Sequence, residues 1–508
     1  MTLRTIRAVI DEHAEATPDA PFLLAPEPDS TITYAALREI CQAIGGELAA
    51  AGIPPGEVVS FLLPNGVSAA TIFLGAMYAG YVVAPMSLLA QDAQLQYILP
   101  HSGTRLVFAE AGYADRLRDA AVRSGSRAVV RVTSPDALGF GRPLPRTCPP
   151  PPTPDTAALL MYTSGTTGLP KGALLSHRSL VHAARAVATA HRLGPVDRVL
   201  SSLPLFHING QCIATLAPLV SGGSVVMPHR FSTSRWWPLV EAYRPTWLNV
   251  VPTIIAYLLH GEAPTAAQHA ACREIRFARS ASAPLPPEQH RAFEARFGIS
   301  VLEAMGLTEC ASVAFANPIE PEARKLGSPG EPVGIEARVV APDGRVLPAG
   351  EAGEIQLRGE SVMMGYYKAP ELTAAAVSRD GWLATGDLGF RDEDGFYFIT
   401  GRLKELIIKG GENIAPREID EALLQHPAVL EAAAVGIPDP DYGQEILACV
   451  VLKPGVDLEE DALRSHCLAL LGRYKTPRQF RFLSELPKGP SGKVQRLKLL
   501  DDSGGGRR

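Results

Sequence analysis

From Thr33 to about Val226 the chain alternates two textures. Short apolar and β-branched runs, such as Val58-Val59-Ser60-Phe61-Leu62-Leu63 and Ala128-Val129-Val130-Arg131-Val132, recur between helix-length stretches such as Tyr34 to Ala51. That alternation predicts βαβ units and a mostly parallel sheet. No charged residue occurs from Val58 through Gln91, a length sufficient to span a bilayer. Pro64, Asn65, Gly66, Gly80 and Pro85 cut that stretch, so it reads as a strand, a small-residue helix and a second strand of a buried core.

A proline-rich connector, Cys148 to Pro154, leads into an apolar strand, Ala157 to Tyr162, which stops at Thr163-Ser164-Gly165. From about Gly327 the texture changes. Hairpin signals at Pro342-Asp343-Gly344 and Asp392-Glu393-Asp394-Gly395 lie between short strands and predict a β subdomain over about 327–400. A small α/β module follows over 403–500, with helices near Pro416 to Gln425 and Glu459 to Leu471 and strands at Val429 to Gly436 and Leu447 to Leu452. The glycine-rich tail, 501–508, is expected to be disordered.

Composition narrows the functional class. The 508 residues exceed what one hydrophobic core sustains, so two or more domains are expected. With 46% hydrophobic and 20% charged residues and a net charge of -5, nothing favours nucleic acid or an anionic membrane as partner, and a small-molecule substrate fits better. Seven scattered cysteines form no C-x-x-C pair and read as reduced thiols. The N-terminus has no apolar stretch of signal-peptide length, and a cytoplasmic location is expected.

The densest chemistry lies at Tyr162 to Gly172. Hydroxyls at Thr163, Ser164, Thr166 and Thr167, glycines at Gly165 and Gly168, and Lys171 follow directly on an apolar strand. Glycines let backbone N–H groups point into a concavity, hydroxyls add donors and a lysine adds a mobile cation, a set that suits polyphosphate. It is not the G-x-x-x-x-G-K-[ST] loop, because glycine follows Lys171. Further motifs occur in order: Leu203 to His207, Gly306-Leu307-Thr308-Glu309, Thr385-Gly386-Asp387, Gly401 to Glu405, Gly410 to Asn413 and Pro490 to Lys493.

With these motifs the sequence resembles the adenylate-forming superfamily of acyl-CoA synthetases, adenylation domains and luciferase along nearly its whole length. It looks most like aryl-, fatty- and oxalyl-CoA ligases, through Phe206-His207 and Arg279 to Pro284. The resemblance implies an α/β fold: a large N-terminal domain (1–402) of doubly wound mixed sheets plus the β subdomain, and a small mobile α/β C-terminal domain. It implies attack of a carboxylate on the α-phosphorus of ATP, release of pyrophosphate, and acyl transfer to coenzyme A. The partners would be the acid, ATP and CoA, with no nucleic acid or membrane span, in a monomer or homodimer.

Residue by residue, the resemblance assigns Thr163 to Gly168 and Lys171 to the phosphates, Thr308 to the α-phosphate and Glu309 to Mg²⁺. Ser282, Ala283, Met305 and Gly306 would face the nucleotide, Asp387 would accept from the ribose hydroxyls, and Arg402 would reach ribose or phosphate. Lys493 would bridge carboxylate and α-phosphate during adenylation. The small domain would then rotate about Lys404 and present Gly410 and Gly411 to the pantetheine thiol, with Tyr442, Tyr474 and Arg478 at positions that hold the CoA nucleotide in chlorobenzoate-CoA ligase. Two departures stand out: Met305 replaces the usual aromatic residue against adenine, and Ala384 replaces a common histidine.

The acyl pocket implied by the resemblance involves His207, Asn209, Gln211, Val251 and Arg279. Phe206-His207 stands where an amino-acid-activating domain carries Asp, which argues against amino acids. Arg279 is open to two readings, recognition of a second carboxylate or pairing with structural acids. A ligase serving a carrier protein, a luciferase-like oxygenase and a non-catalytic scaffold are the alternatives. Gly410-Gly411 favours CoA, nothing argues for an oxygenase, and Lys171, Glu309, Asp387, Arg402 and Lys493 together argue against a scaffold.

Overall fold

The uncharged stretch folds as the strand Val58–Leu62, the helix Val67–Tyr78 and the strand Val82–Pro85. All twelve residues of that helix are buried, which explains a composition apolar on every side. The computed structural model describes residues 5–137, 149–163, 170–488 and 494–500. The tail 501–508 lies outside them. No helix among the described residues is long and apolar enough to cross a membrane.

The chain divides into two compact units: Met1–Ala337 with Leu357–Leu383, and Arg338–Gln356 with Ala384–Arg508. The first holds two mixed sheets, as the fold class requires. Segments 33–226 do not build the one sheet their texture suggested but feed both. A seven-stranded sheet contains Val58–Leu62, Val82–Pro85, Leu106–Ala109 and Val129–Val132 in parallel, and its other edge turns antiparallel where Ala157–Thr163 pairs with Lys171–Ser176. A nine-stranded sheet has a parallel centre of Ser224–Val226, Arg198–Ser201, Trp247–Val250, Phe277–Ser280 and Val301–Met305. Period two divides its faces. Leu200, Leu248 and Ala278 enter an apolar core with Trp236, Trp237 and Phe293, and the intervening residues point the other way.

A four-stranded sheet runs through Glu336–Val340, Gly353–Arg358, Leu383–Arg391 and Tyr397–Arg402, with most of its residues in the second unit. Both anticipated turns are present: Gly344 N–H donates to the Ala341 carbonyl at 2.9 Å and Gly395 N–H to that of Asp392 at 3.2 Å. The C-terminal module is a five-stranded sheet with helices at Pro416–Leu424 and Glu460–Lys475. Its strand Val429–Asp439 buries alternate residues in two cores. Ala432 and Ala434 join Ile419, Leu423 and Leu463, while Ala433 and Val435 join Leu486 and Leu499.

Candidate active site

The strands Ala157–Thr163 and Lys171–Ser176 pair antiparallel, with Thr163 opposite Lys171 at the end of the register. Ser164, Gly165, Thr166, Thr167 and Gly168 lie outside the described residues. Thr163 Oγ1 donates to the Lys171 carbonyl at 3.4 Å. The strand Gly365–Tyr366 pairs with Lys171–Ser176, placing Tyr366 opposite Ala173. The Lys171 ammonium lies 5.3 Å from the centre of the Tyr366 ring, within cation–π range.

Glu309 approaches the same tyrosine from another segment. It sits on the single 3₁₀ turn Thr308–Cys310 after the strand Val301–Met305. Gly306 permits the turn, because a Cβ there would lie 1.6 Å from the Ser312 carbonyl oxygen. The Tyr366 hydroxyl donates to Glu309 Oε1 at 2.9 Å, and the Met363 N–H donates to the Glu309 carbonyl at 2.8 Å. Burial, reinforced by the Glu309 charge, pushes the Tyr366 phenol far above its ordinary range, so it stays a donor.

The acyl and nucleotide candidates meet in a chain of amides and hydroxyls at the ends of the parallel strands. Asn209 Nδ2 donates to Ser282 Oγ at 3.1 Å, and Asn249 Nδ2 donates to Asn209 Oδ1 at 3.1 Å and Ser201 Oγ at 3.4 Å. Ser282, beside Ala283, adopts a positive φ of 74° without being glycine, a strained backbone of the kind that gathers at functional sites. Asn209 and Gln211 lie on the π-helix Asn209–Leu216, a form the sequence did not signal. Gln211 Nε2 is spent on the Leu205 carbonyl at 2.6 Å, so it braces the Leu203-to-His207 loop. His207 is half-buried against Phe206. Val251 packs on the apolar core, and Met305 is half-buried at its strand's end.

Arg279 is the outlier. The register Ser201↔Asn249↔Arg279 puts these three residues in one row on the same face of the sheet. Arg279 is only 1% exposed. None of its three guanidinium nitrogens has a hydrogen-bond partner among the described residues. Burial pushes its pKa down to about 10, which still leaves it cationic at neutral pH. A buried charge normally comes with a counter-charge, since desolvation costs several kcal/mol per ion, on the order of a domain's whole stability. Structural pairing, one of the two readings open from sequence, finds no acid among the described residues.

In the second unit Asp387 and Arg402 are cross-strand partners, with Arg402 Nε 2.8 Å from Asp387 Oδ1. Lys404 lies in the 3₁₀ turn Leu403–Glu405. Gly410 and Gly411, both at positive φ (56° and 85°), form the two-residue turn of the hairpin Ile407–Lys409 and Glu412–Ile414. A Cβ on Gly410 would meet the Tyr474 hydroxyl at 3.1 Å and the Tyr442 ring at 3.3 Å, so both candidate CoA aromatics flank this turn. Arg478 pairs with Asp439 at 2.8 Å. Lys493 lies outside the described residues. Three features escaped the sequence: the Tyr366 hydroxyl on Glu309, the amide chain ending at Ser282 and the isolation of Arg279.

Residues 10–367 match the AMP-binding enzyme family, and residues 418–493 match the AMP-binding enzyme C-terminal domain. The chain is 57% identical over 505 residues to a sulfoacetate–CoA ligase of Cupriavidus necator, covering 98% of this chain and 97% of that one. Its structure resembles ATP-bound MatB from Rhodopseudomonas palustris with a TM-score of 0.89 and 28% identity, over 98% of each chain. It also resembles o-succinylbenzoate CoA synthetase from Bacillus subtilis, solved with its acyl-adenylate intermediate, with a TM-score of 0.88 and 28% identity over 99% of this chain and 100% of that one.

Proposed function

The chain belongs to the AMP-binding enzymes and is an AMP-forming acyl-CoA ligase, and from that premise we propose that its acid is a short carboxylic acid carrying a second anionic group, of the sulfoacetate class. The observation that carries this reading is Arg279, fully buried in the row of Ser201 and Asn249 with no acid beside it among the described residues. An uncompensated guanidinium is costly in the free protein and becomes favourable when a ligand supplies the anion, because the desolvated pair is strong. The similarity to a sulfoacetate–CoA ligase supports the same class.

Adenylation then draws on the following groups, of which Lys493 lies outside the described residues. Lys171 and Thr163 hold phosphate oxygens, Ser282 and Ala283 line the nucleotide, and Asp387 and Arg402 take the ribose. Met305 lies against adenine, where a thioether covers a ring face. Lys493 contributes a point charge to the α-phosphate. Among the described residues no cluster of three His, Cys, Asp or Glu side chains exists to cage a metal. Glu309 alone suits Mg²⁺, which takes one or two carboxylates and completes its shell with phosphate and water. Bound there, Mg²⁺ would neutralise charge on the departing pyrophosphate. Thiolation follows rotation about Lys404, with Gly410 and Gly411 leaving room for the thiol and Tyr442, Tyr474 and Arg478 holding the CoA nucleotide.

Pyrophosphate release across an acid panel tests the proposal. Sulfoacetate should exceed acetate, butyrate and benzoate in kcat/KM by about two orders of magnitude, the effect of pairing one desolvated charge. Equal use of the monocarboxylic acids would overturn it.

A further inference from the structure

Tyr366 belongs to none of the motifs read from the sequence, yet it touches two groups assigned to the ATP end of the site. Its hydroxyl donates to Glu309 Oε1 at 2.9 Å, and its ring lies 5.3 Å from the Lys171 ammonium. Neither contact is incidental to a mobile side chain. Pairing of Tyr366 with Ala173 fixes the backbone. The Met364 N–H donates to the Leu174 carbonyl at 2.8 Å and the Tyr367 N–H to that of Gly172 at 2.7 Å, while the Tyr366 N–H is held by Thr373 Oγ1 at 2.8 Å. The preceding Met363 N–H donates to the Glu309 carbonyl. One short strand is thus hydrogen-bonded both to the strand carrying Lys171 and to the turn carrying Glu309.

We propose that Tyr366 is a positioning residue that sets the Glu309 carboxylate for Mg²⁺ and restrains Lys171 for the triphosphate. A hydroxyl donated to one oxygen leaves the second oxygen and the remaining lone pairs of the carboxylate for a cation, and fixes the plane in which they point. The ring face attracts the ammonium without consuming any of its three donors, so Lys171 stays free to bond phosphate. The phenol therefore acts through its two neighbours and touches no reacting atom. This inference rests on the assignment of Glu309 to Mg²⁺ and of Lys171 to phosphate.

Two substitutions separate the two contacts, read by calorimetric ATP binding at a series of magnesium concentrations rather than by turnover. Tyr366→Phe removes the hydroxyl and keeps the ring. It should raise the magnesium concentration needed for half-maximal ATP binding about tenfold, within the range expected on losing an outer-shell partner, and leave metal-free ATP binding unchanged. Tyr366→Leu should add a loss of metal-free binding of about threefold, as expected for one exposed cation–π contact. Glu309→Gln should raise the midpoint too, and the double variant Glu309→Gln/Tyr366→Phe should be no worse than Glu309→Gln alone, because the hydroxyl acts on the metal only through the Glu309 carboxylate. An unchanged midpoint in Tyr366→Phe, with a shift in Glu309→Gln, overturns the role of Tyr366. Full additivity in the double variant overturns it as well. An unchanged midpoint in Glu309→Gln overturns instead the assignment of Glu309 on which it rests.

Discussion

The imidazole of His177 is fully buried in the first unit, and its Nδ1 accepts the Ile6 N–H at 3.3 Å. Burial pushes its pKa down from 6.5 to about 4. A histidine depressed on folding contributes stability that is complete above its unfolded pKa, because between the two values the unfolded chain binds the extra proton. That stability is lost as pH falls from 6.5 to about 4, and amounts to roughly 3 kcal/mol at 1.36 kcal/mol per unit. Urea unfolding of the parent and His177→Asn over this window should give curves that diverge with rising pH, the parent gaining more. Parallel curves would show that His177 is not held neutral. Residues of this kind were not legible in advance, and neither was Tyr366, since burial and partners arise from distant segments. Lys171 stands out in the sequence through the hydroxyls and glycines around it, a set that suits phosphate, whereas Thr308 and Glu309 stand out only through the family resemblance, since a Glu after Thr alone reads as readily as a helix cap.

At the scale of elements, the sequence is most legible where one chemistry runs through a whole segment. The strand–helix–strand at Val58 to Pro85 and the two aspartate–glycine turns follow from local pattern, and the structure has them where expected. The π-helix Asn209–Leu216 gave no such signal. It occurs where Gln211 satisfies the Leu205 carbonyl and Gly210 packs against the carbonyls of Leu203 and Pro204, contacts within the folded loop that no residue pattern announces. The turn Leu403–Glu405 carries the mechanistic expectation at this scale. If rotation about Lys404 exchanges the two half-reactions, Lys404→Pro should stop it, since proline fixes φ. Pyrophosphate exchange should stay within a few-fold of the parent while acyl-CoA formation falls by about two orders of magnitude. Acyl-CoA formation at the parent rate would remove Lys404 as the pivot.

For the molecule as a whole, the motifs are spread over two compact units that interleave in sequence, with Arg338–Gln356 grouped with the C-terminal portion. The order of motifs along the chain carries no sign of that interleaving, because contact partners rather than texture define it. On the proposed function, the choice of acid is a property of the whole fold, since the row Ser201, Asn249 and Arg279 comes from three strands far apart in sequence. On that proposal the fold tolerates a buried charge with no partner among the described residues for the sake of its substrate. Replacing such a charge with an apolar side chain of similar length removes a desolvation penalty and is often stabilising. The most direct measurement is therefore Arg279→Met, followed by thermal unfolding and by kcat/KM for sulfoacetate and for butyrate. The expected result is an unchanged or higher Tm, a loss of about two orders of magnitude for sulfoacetate, and little change or a gain for butyrate. A lower Tm with equal losses on both acids would contradict it and make Arg279 a structural cation.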